Sequence, residues 1–298
     1  MKSLERLEKK EYRVLVPLAN KKTVESLTHI ANSIAKKSNA EIIFLHVDEV
    51  REGSPLVAQL SDNERAKPLF DAAMDVSEKA GVPSRAILNV SHRISQGIVN
   101  TAEEEECNFI IVGREKNPDF LERFFSSIID SVIQKFPGEV AVLHGSFKPE
   151  NIKTILIPFT IDAHAMLATE IAPALIDYFN CKIRILLVYD PETTQKEKEE
   201  REIKIQELIK ENSISAEIKI ANDTDILKCI VDESKQADLV LMGGKTGDFL
   251  ELLLGRSLAQ EITEQSACPV LWVKEYQEIE PLWKQLLKPS KQIGVENE

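Results

Sequence analysis

The residues best placed to do chemistry are a glycine-rich string, Gly243-Gly244-Lys245-Thr246-Gly247, which follows the apolar run "ADLVLM" and precedes a helix-like stretch. A glycine turn between a strand and a helix can hold phosphate. Glycine lets the backbone come close, and the helix N-terminus offers N–H groups with a positive partial charge. A P-loop needs G-x-x-x-x-G-K-[ST]. With Gly244-Lys245-Thr246 as its G-K-T, the first glycine falls on Leu239, inside the apolar run, so half the turn is missing. The dinucleotide fingerprint G-x-G-x-x-G fails on spacing as well.

Other chemistries find less support. The chain has no G-x-S-x-G elbow and no H-E-x-x-H, and its histidines (His29, His46, His92, His144, His164) do not pair at metal spacing. His46 reads as a strand residue packed in a sheet, and His92 as a loop or capping residue. His92 could also face the strand-end cleft, and His164, near the first turn of a helix by the second-copy cleft, is a candidate ligand contact set against a plain helix-start residue. An enzyme requires a nameable nucleophile, base and orienting group. None emerges, and the expectation is a non-catalytic protein without a metal site.

Composition bounds the partners. The 298 residues carry a net charge of −12, with 43% hydrophobic and 29% charged residues. That length suggests two domains. The negative charge disfavours nucleic acid, whose phosphates it repels. No apolar run nears the ~20 residues needed to span a bilayer. The opening "MKSLERLEKKEYR" has no apolar core, which points to a cytoplasmic protein. Cys107, Cys181, Cys229 and Cys268 lie far apart beside apolar segments and read as buried reduced thiols. The charge run "QKEKEEREIKIQELIKE" reads as a solvated helix face.

The elements that must position the glycine string appear twice. "YRVLVPLANKKTVESLTHIANSIAKKSNAEIIFLHVDE" parallels "KTILIPFTIDAHAMLATEIAPALIDYFNCKIRILLVYDPE", so that Pro17 answers Pro158 and Ala31 answers Ala172. Further on, Gly113 answers Gly243 and Ser127 answers Ser257. In the first copy, strands are predicted near 13–17, 41–47, 84–90, 108–112 and 139–144, with helices near 22–38, 62–80, 94–106 and 124–136. The second copy predicts strands near 153–158, 182–189, 215–220, 238–242 and 269–273, and helices near 164–180, 195–212, 224–236 and 257–266. Strand–helix alternation implies parallel strands with right-handed crossovers and helices on both faces. Ligands in such α/β sheets sit beyond the carboxyl ends of the strands. The expected organisation is a linker-like segment (1–11), a first domain (12–145), a linker "SFKPEN" (146–151), a second domain (152–275) and a tail (276–298) with a short helix near 280–288.

"ADLVLMGGKTGDFLELLLGRSLAQEITEQSACPVLWV" resembles the last third of a universal stress protein domain, and the resemblance extends over both copies. It implies two tandem, doubly wound, five-stranded, Rossmann-like parallel sheets. In nucleotide-binding members a loop G-x-x-G-x(9)-G-[ST] holds phosphates and ribose, and an aspartate after the first strand meets adenine. Carried over, the resemblance puts Gly243, Gly244, Thr246, Gly247, Gly255, Arg256 and Ser257 around a phosphate in the second copy, with Lys245 nearby and Thr160 in the aspartate's place. Gly247 and Gly255 are each one position displaced. In the first copy only Gly113 keeps its glycine, since Lys116 and Ser126 take the other two glycine positions. Ser127 keeps the hydroxyl position, and Ala19 takes the aspartate's. ATP or AMP is therefore expected in the second domain before the first.

"LERLEKKEYRVLVPLAN", "VSHRISQGIVNTAEEEECNFIIVG" and "IPFTIDAHAMLATEIA" are also similar to cytosolic tails of prokaryotic amino-acid permeases and related cation-coupled transporters. That resemblance implies a regulatory, ligand-sensing module attached to a membrane transporter domain. The alternatives are a free-standing cytoplasmic stress protein binding ATP or AMP and, behind it, a slow ATPase. The family pairs domains through the fifth strand. "EVAVLHG" and "CPVLWVK" are thus expected to form an intrachain pseudo-dimer, on which a homodimer could build.

Overall fold

The computed structural model describes residues 12–50, 64–114, 122–159, 164–244 and 258–274. The first copy runs β1 (Arg13–Pro17), α1 (Lys21–Ser38), β2 (Glu41–Glu49), α2 (Lys67–Ala80), β3 (Ser84–Ser91), α3 (Ile94–Glu104), β4 (Phe109–Arg114), α4 (Glu122–Lys135) and β5 (Glu139–His144). The second runs β6 (Thr154–Phe159), α5 (His164–Phe179), β7 (Lys182–Tyr189), α6 (Gln195–Glu211), β8 (Ala216–Asn222), α7 (Ile226–Ser234), β9 (Leu239–Gly244), α8 (Leu258–Gln265) and β10 (Val270–Lys274). The predicted elements fall within a few residues of these. The largest shift is at α2, which begins at Lys67 rather than 62, with a proline in its first turn, where a missing N–H costs no helical bond. The linker holds a short 3-10 turn at Pro149–Asn151. The segment 1–11 and the predicted tail helix at 280–288 lie outside the described residues.

Helix ends follow local chemistry and repeat between copies. The Asn20 side chain caps α1 by accepting from the Lys22 N–H. At the other end Asn39 takes a left-handed conformation at φ 53°. Asn180 does the same after α5, at φ 51°. Asparagine is among the few non-glycine residues that tolerate this region, so both helices stop at the same place. Helix α6 starts with a reciprocal capping box between Thr194 and Glu197.

Strands alternate their side chains between two apolar layers. Val14 and Val16 of β1 join a core beneath α1, α2, α5 and α6, whereas Leu15 joins a core beneath α3, α4, α7 and α8. The sheet order is β3-β2-β1-β4-β5-β10-β9-β6-β7-β8. Neighbouring strands are parallel throughout except at the centre, where β5 and β10 pair antiparallel with Val142 opposite Trp272. Each copy contributes the same order, reversing direction between β1 and β4 and between β6 and β9. The antiparallel centre sends the carboxyl ends of the two sets of strands to opposite edges of one continuous sheet.

Several contacts lock the copies together. The Lys274 side chain is 2% exposed and donates to the carbonyls of Ile133 and Phe136, each at 3.0 Å, at the C-terminal end of α4. Those carbonyls have no intrahelical partner, and a cation there also suits the helix dipole. Burial lowers the Lys274 pKa, because the charged form is desolvated. On the other face α1 meets α5. His29 Nδ1 lies 2.8 Å from the Tyr178 hydroxyl, and Lys37 pairs with Asp177 at 2.8 Å. Ser26 accepts from the Phe147 N–H and donates to its carbonyl, both at 2.9 Å, which pins the linker to α1.

Candidate functional site

The crevice where strand order reverses is the standard ligand position in doubly wound sheets. In the first copy it is an open-mouthed cavity of about 680 Å³ at the ends of β1, β2 and β4, reaching down between the sheet and helices α3 and α4. Ala19 and Gly113 both line it. Behind Gly113 stands α1: a Cβ there would come within 2.8 Å of Leu27 Cδ1. At the mouth, Leu18 N–H donates to the Leu45 carbonyl at 2.7 Å, and His46 Nδ1 binds the Leu18 carbonyl at 2.7 Å. The other His46 nitrogen lies 3.4 Å from Asp48. His46 is thus a strand residue, as read from sequence, and it also borders the cleft. His92 occupies the turn before α3, with Nδ1 3.2 Å from the Val50 carbonyl.

In the second copy, Gly243 and Gly244 end β9, in register with Val273 and Lys274 of β10. Gly243 is half-buried and Gly244 is buried. The Gly244 glycine has a packing reason: a Cβ would sit 2.3 Å from Trp272 Cη2, so the indole lies directly against this backbone. Thr160, Lys245, Thr246, Gly247, Gly255, Arg256 and Ser257 lie outside the described residues, as do Lys116 and the side chains of Ser126, Ser127 and His164. Nearby, Met242 belongs to the lower apolar layer, with Val188 and Ile226 packed against it.

Cys181 and Cys268 are buried, and Cys107 and Cys229 half-buried. Burial pushes Cys107 up to about 12 and Cys181 up to about 11. A thiol so far above neutrality holds almost no thiolate, the form that attacks or binds metal. Among the described residues no three His, Cys, Asp or Glu side chains gather as a metal-binding group. No described helix is long and apolar enough to cross a membrane.

Three features escaped sequence reasoning. Lys274 ends a strand, and nothing local in the sequence signals that its ammonium donates to the end of α4. The His29–Tyr178 contact joins residues far apart in sequence. A paired device at the start of each first strand was visible in retrospect. The Asn108 side chain accepts from Arg13 N–H at 3.0 Å, and Asp238 in the second copy accepts from Thr154 N–H at 2.8 Å.

The profile described as "Universal stress protein family" matches residues 12–144 and 151–274. No curated protein matches the chain in sequence. Among solved structures, a universal stress protein from Archaeoglobus fulgidus DSM 4304 is 18% identical with a TM-score of 0.65, covering 90% of this chain and 97% of its own. A protein described as a putative universal stress protein from Pseudomonas aeruginosa UCBPP-PA14 is 14% identical, with a TM-score of 0.58, covering 89% and 94%. The cytoplasmic domain of a prokaryotic cation chloride cotransporter is 12% identical, with a TM-score of 0.59, covering 89% and 96%. At these identities the likeness concerns the fold.

Proposed function

Given that this chain belongs to the universal stress protein family, we propose that it is a non-catalytic, ligand-sensing regulatory module built from domains at 12–145 and 152–275. The observation that carries this reading is the continuous sheet. The carboxyl ends of the two sets of strands point opposite ways across one sheet, and β5, β10, Lys274 and the α1–α5 contact join the two copies firmly. Such a body can bias a partner through its surfaces when one cleft fills, provided the ligand prefers one arrangement over another. The similarity of its sequence to transporter tails, and the shared fold of a cotransporter's cytoplasmic domain, support placing it on the cytosolic side of an amino-acid or cation-coupled transporter. The nucleotide assignment favours the second domain. There Gly243 and Ser257 keep the positions that the resemblance requires, with Gly244, Thr246, Gly247, Gly255 and Arg256 beside them and Thr160 in place of the base-binding aspartate.

Isothermal titration with ATP and with AMP, together with a phosphate-release assay, tests the reading on wild type and on the Gly243→Val/Ser257→Ala double variant. We expect at most one nucleotide per chain, binding lost in the double variant, and phosphate release no faster than the protein-free blank. Turnover that disappears in the double variant would make the protein an ATPase. Two equivalent nucleotides per chain would overturn the assignment to the second domain.

A further inference from the structure

We propose that the groove between α6 and the edge strand β8 is a docking surface for this chain's own C-terminal segment, residues 281–292. The proposal does not rest on the function set out above. Three observations carry it. The first is an apolar surface that the fold leaves open. β8 ends the sheet and pairs with β7 alone among the described strands, so its other backbone edge is unpaired there. Ile203, Ile218 and Ile220 line an open groove of about 840 Å³ along that edge. Ile203 is 59% exposed and Ile220 48%, more than any other large apolar side chain among the described residues. Ile205 and Leu208, not Ile203, form the buried face of α6. Exposed isoleucines beside an unpaired sheet edge invite association, and covering the edge is one way proteins prevent it.

The second observation is charge. The groove sets Glu199, Glu202 and Glu207 against Lys210 alone. A second copy docked edge to edge would bring these carboxylates against their own kind, which destabilises the pairing. A fitting occupant brings apolar side chains together with positive charge. Residues 281–292, "PLWKQLLKPSKQ", do so: Leu282, Trp283, Leu286 and Leu287 are interspersed with Lys284, Lys288 and Lys291, and no acid falls among them. The third observation is reach. β10, β9, β6, β7 and β8 run parallel, so β10 delivers the chain to the edge of the sheet where β8 ends. The first turns of α6, with Glu199 and Ile203, stand at that same edge, because α6 follows the end of β7. β8 lies four strand steps from β10, about 20 Å in all. Residues 275–280 span about that distance when extended, and Leu282 follows. The segment ahead of β1 falls short. It would have to cross seven steps, about 34 Å, whereas Leu7 and Leu4 extend only about 20 and 30 Å from Arg13.

The test uses the full chain with labelled isoleucine methyl groups. Leu282→Asp/Leu286→Asp should move the resonances of Ile203, Ile218 and Ile220 and leave those of Ile155 and Ile157 in the core unmoved. Trp283 supplies a second readout. Its quenching by acrylamide, taken as the difference from the matching Trp283→Phe chain, should rise when the groove is spoiled by Ile203→Asp/Ile220→Asp. Glu199→Lys/Glu207→Lys should expose Trp283 as well, and adding Lys284→Glu/Lys288→Glu to that variant should restore its protection. Such a rescue cannot come from a chain that merely folds poorly. Groove methyls that ignore the tail substitutions, a Trp283 as open in wild type as in the variants, or a charge reversal without rescue would each overturn the proposal. Groove methyl shifts that grow with protein concentration would overturn it too, by giving the groove to a second copy.

Discussion

The ends of β4 and β9 occupy equivalent places in the two copies, yet they solve one packing problem differently. In the first copy β4 ends Gly113-Arg114, paired with Leu143-His144 of β5; in the second β9 ends Gly243-Gly244, paired with Val273-Lys274 of β10, and Trp272 stands where the first copy has Val142. Where β10 carries the large Trp272, β9 has Gly244; where β5 carries the smaller Val142, β4 has Arg114. Trp272 can lie against the Gly244 backbone because Gly244 has no side chain. The second glycine of the string therefore has a packing explanation in this structure, the indole of Trp272 against its backbone. The comparison teaches that a glycine in a glycine-rich string can be required by packing alone.

The most damaging test of that comparison is Gly244→Ala. Its Cβ would meet the Trp272 ring at 2.3 Å, and a buried indole has little room to retreat. Overpacking of this kind costs about 1–3 kcal/mol or more, and chemical denaturation should show at least that loss. The double variant Gly244→Ala/Trp272→Val copies the first domain's solution and should recover much of it. An additive double variant would show that the two positions do not share the space. By contrast, a Cβ at Gly113 meets only the movable end of Leu27, so Gly113→Ala should cost less.

Next in size is Lys274→Ala. It leaves the Ile133 and Phe136 carbonyls without their shared donor, and about 1–3 kcal/mol should be lost, read as a lower midpoint in urea. Its linkage has a definite sign. The folded pKa of Lys274 lies below the ordinary lysine value, so the unfolded chain binds the extra proton between the two. Wild-type stability should therefore rise with pH as it passes through that window toward 10.5, and the variant should lack this rise.

Asp130, on α4 of the first domain, should give a smaller effect of opposite sense. Burial raises its carboxyl to about 6 from 3.8, with Arg114 opposing. A raised folded pKa means stability that is full below 3.8 and is lost as pH climbs through 6. Asp130→Asn should thus stabilise the protein above pH 6 by about 1 kcal/mol, allowing for solvent screening at a half-exposed site. The gain should vanish near pH 3, and thermal melts at the two pH values would check it.

The smallest effect belongs to the α1–α5 contact. Burial lowers the His29 pKa from 6.5, so the unfolded chain takes up its proton first as pH falls. Stability should decline with acidification below that value, and His29→Gln should flatten this part of the pH profile. An unchanged slope in the variant would remove His29 from the interdomain linkage.

Much of this was legible in the chain. The repeat, the alternation of short β-branched runs with helix-period stretches, and the apolar positions Val24, Leu27, Ile30, Ala31 and Ile34 determined the doubly wound halves and the buried face of α1. Those signals are local, since a period of 3.6 or a run of buried strand residues is written in neighbouring positions. The departures Ala19, Lys116 and Ser126 were equally readable, because losing a carboxylate or a glycine removes a specific capability. What tertiary structure alone decided were matters of distance between remote positions. They are the indole of Trp272 against Gly244, the ammonium of Lys274 on the end of α4, the phenol of Tyr178 on His29, and the prior engagement of the Leu18 backbone by His46. Each depends on two segments meeting after the sheet has closed across β5 and β10, and no spacing within either segment encodes that meeting.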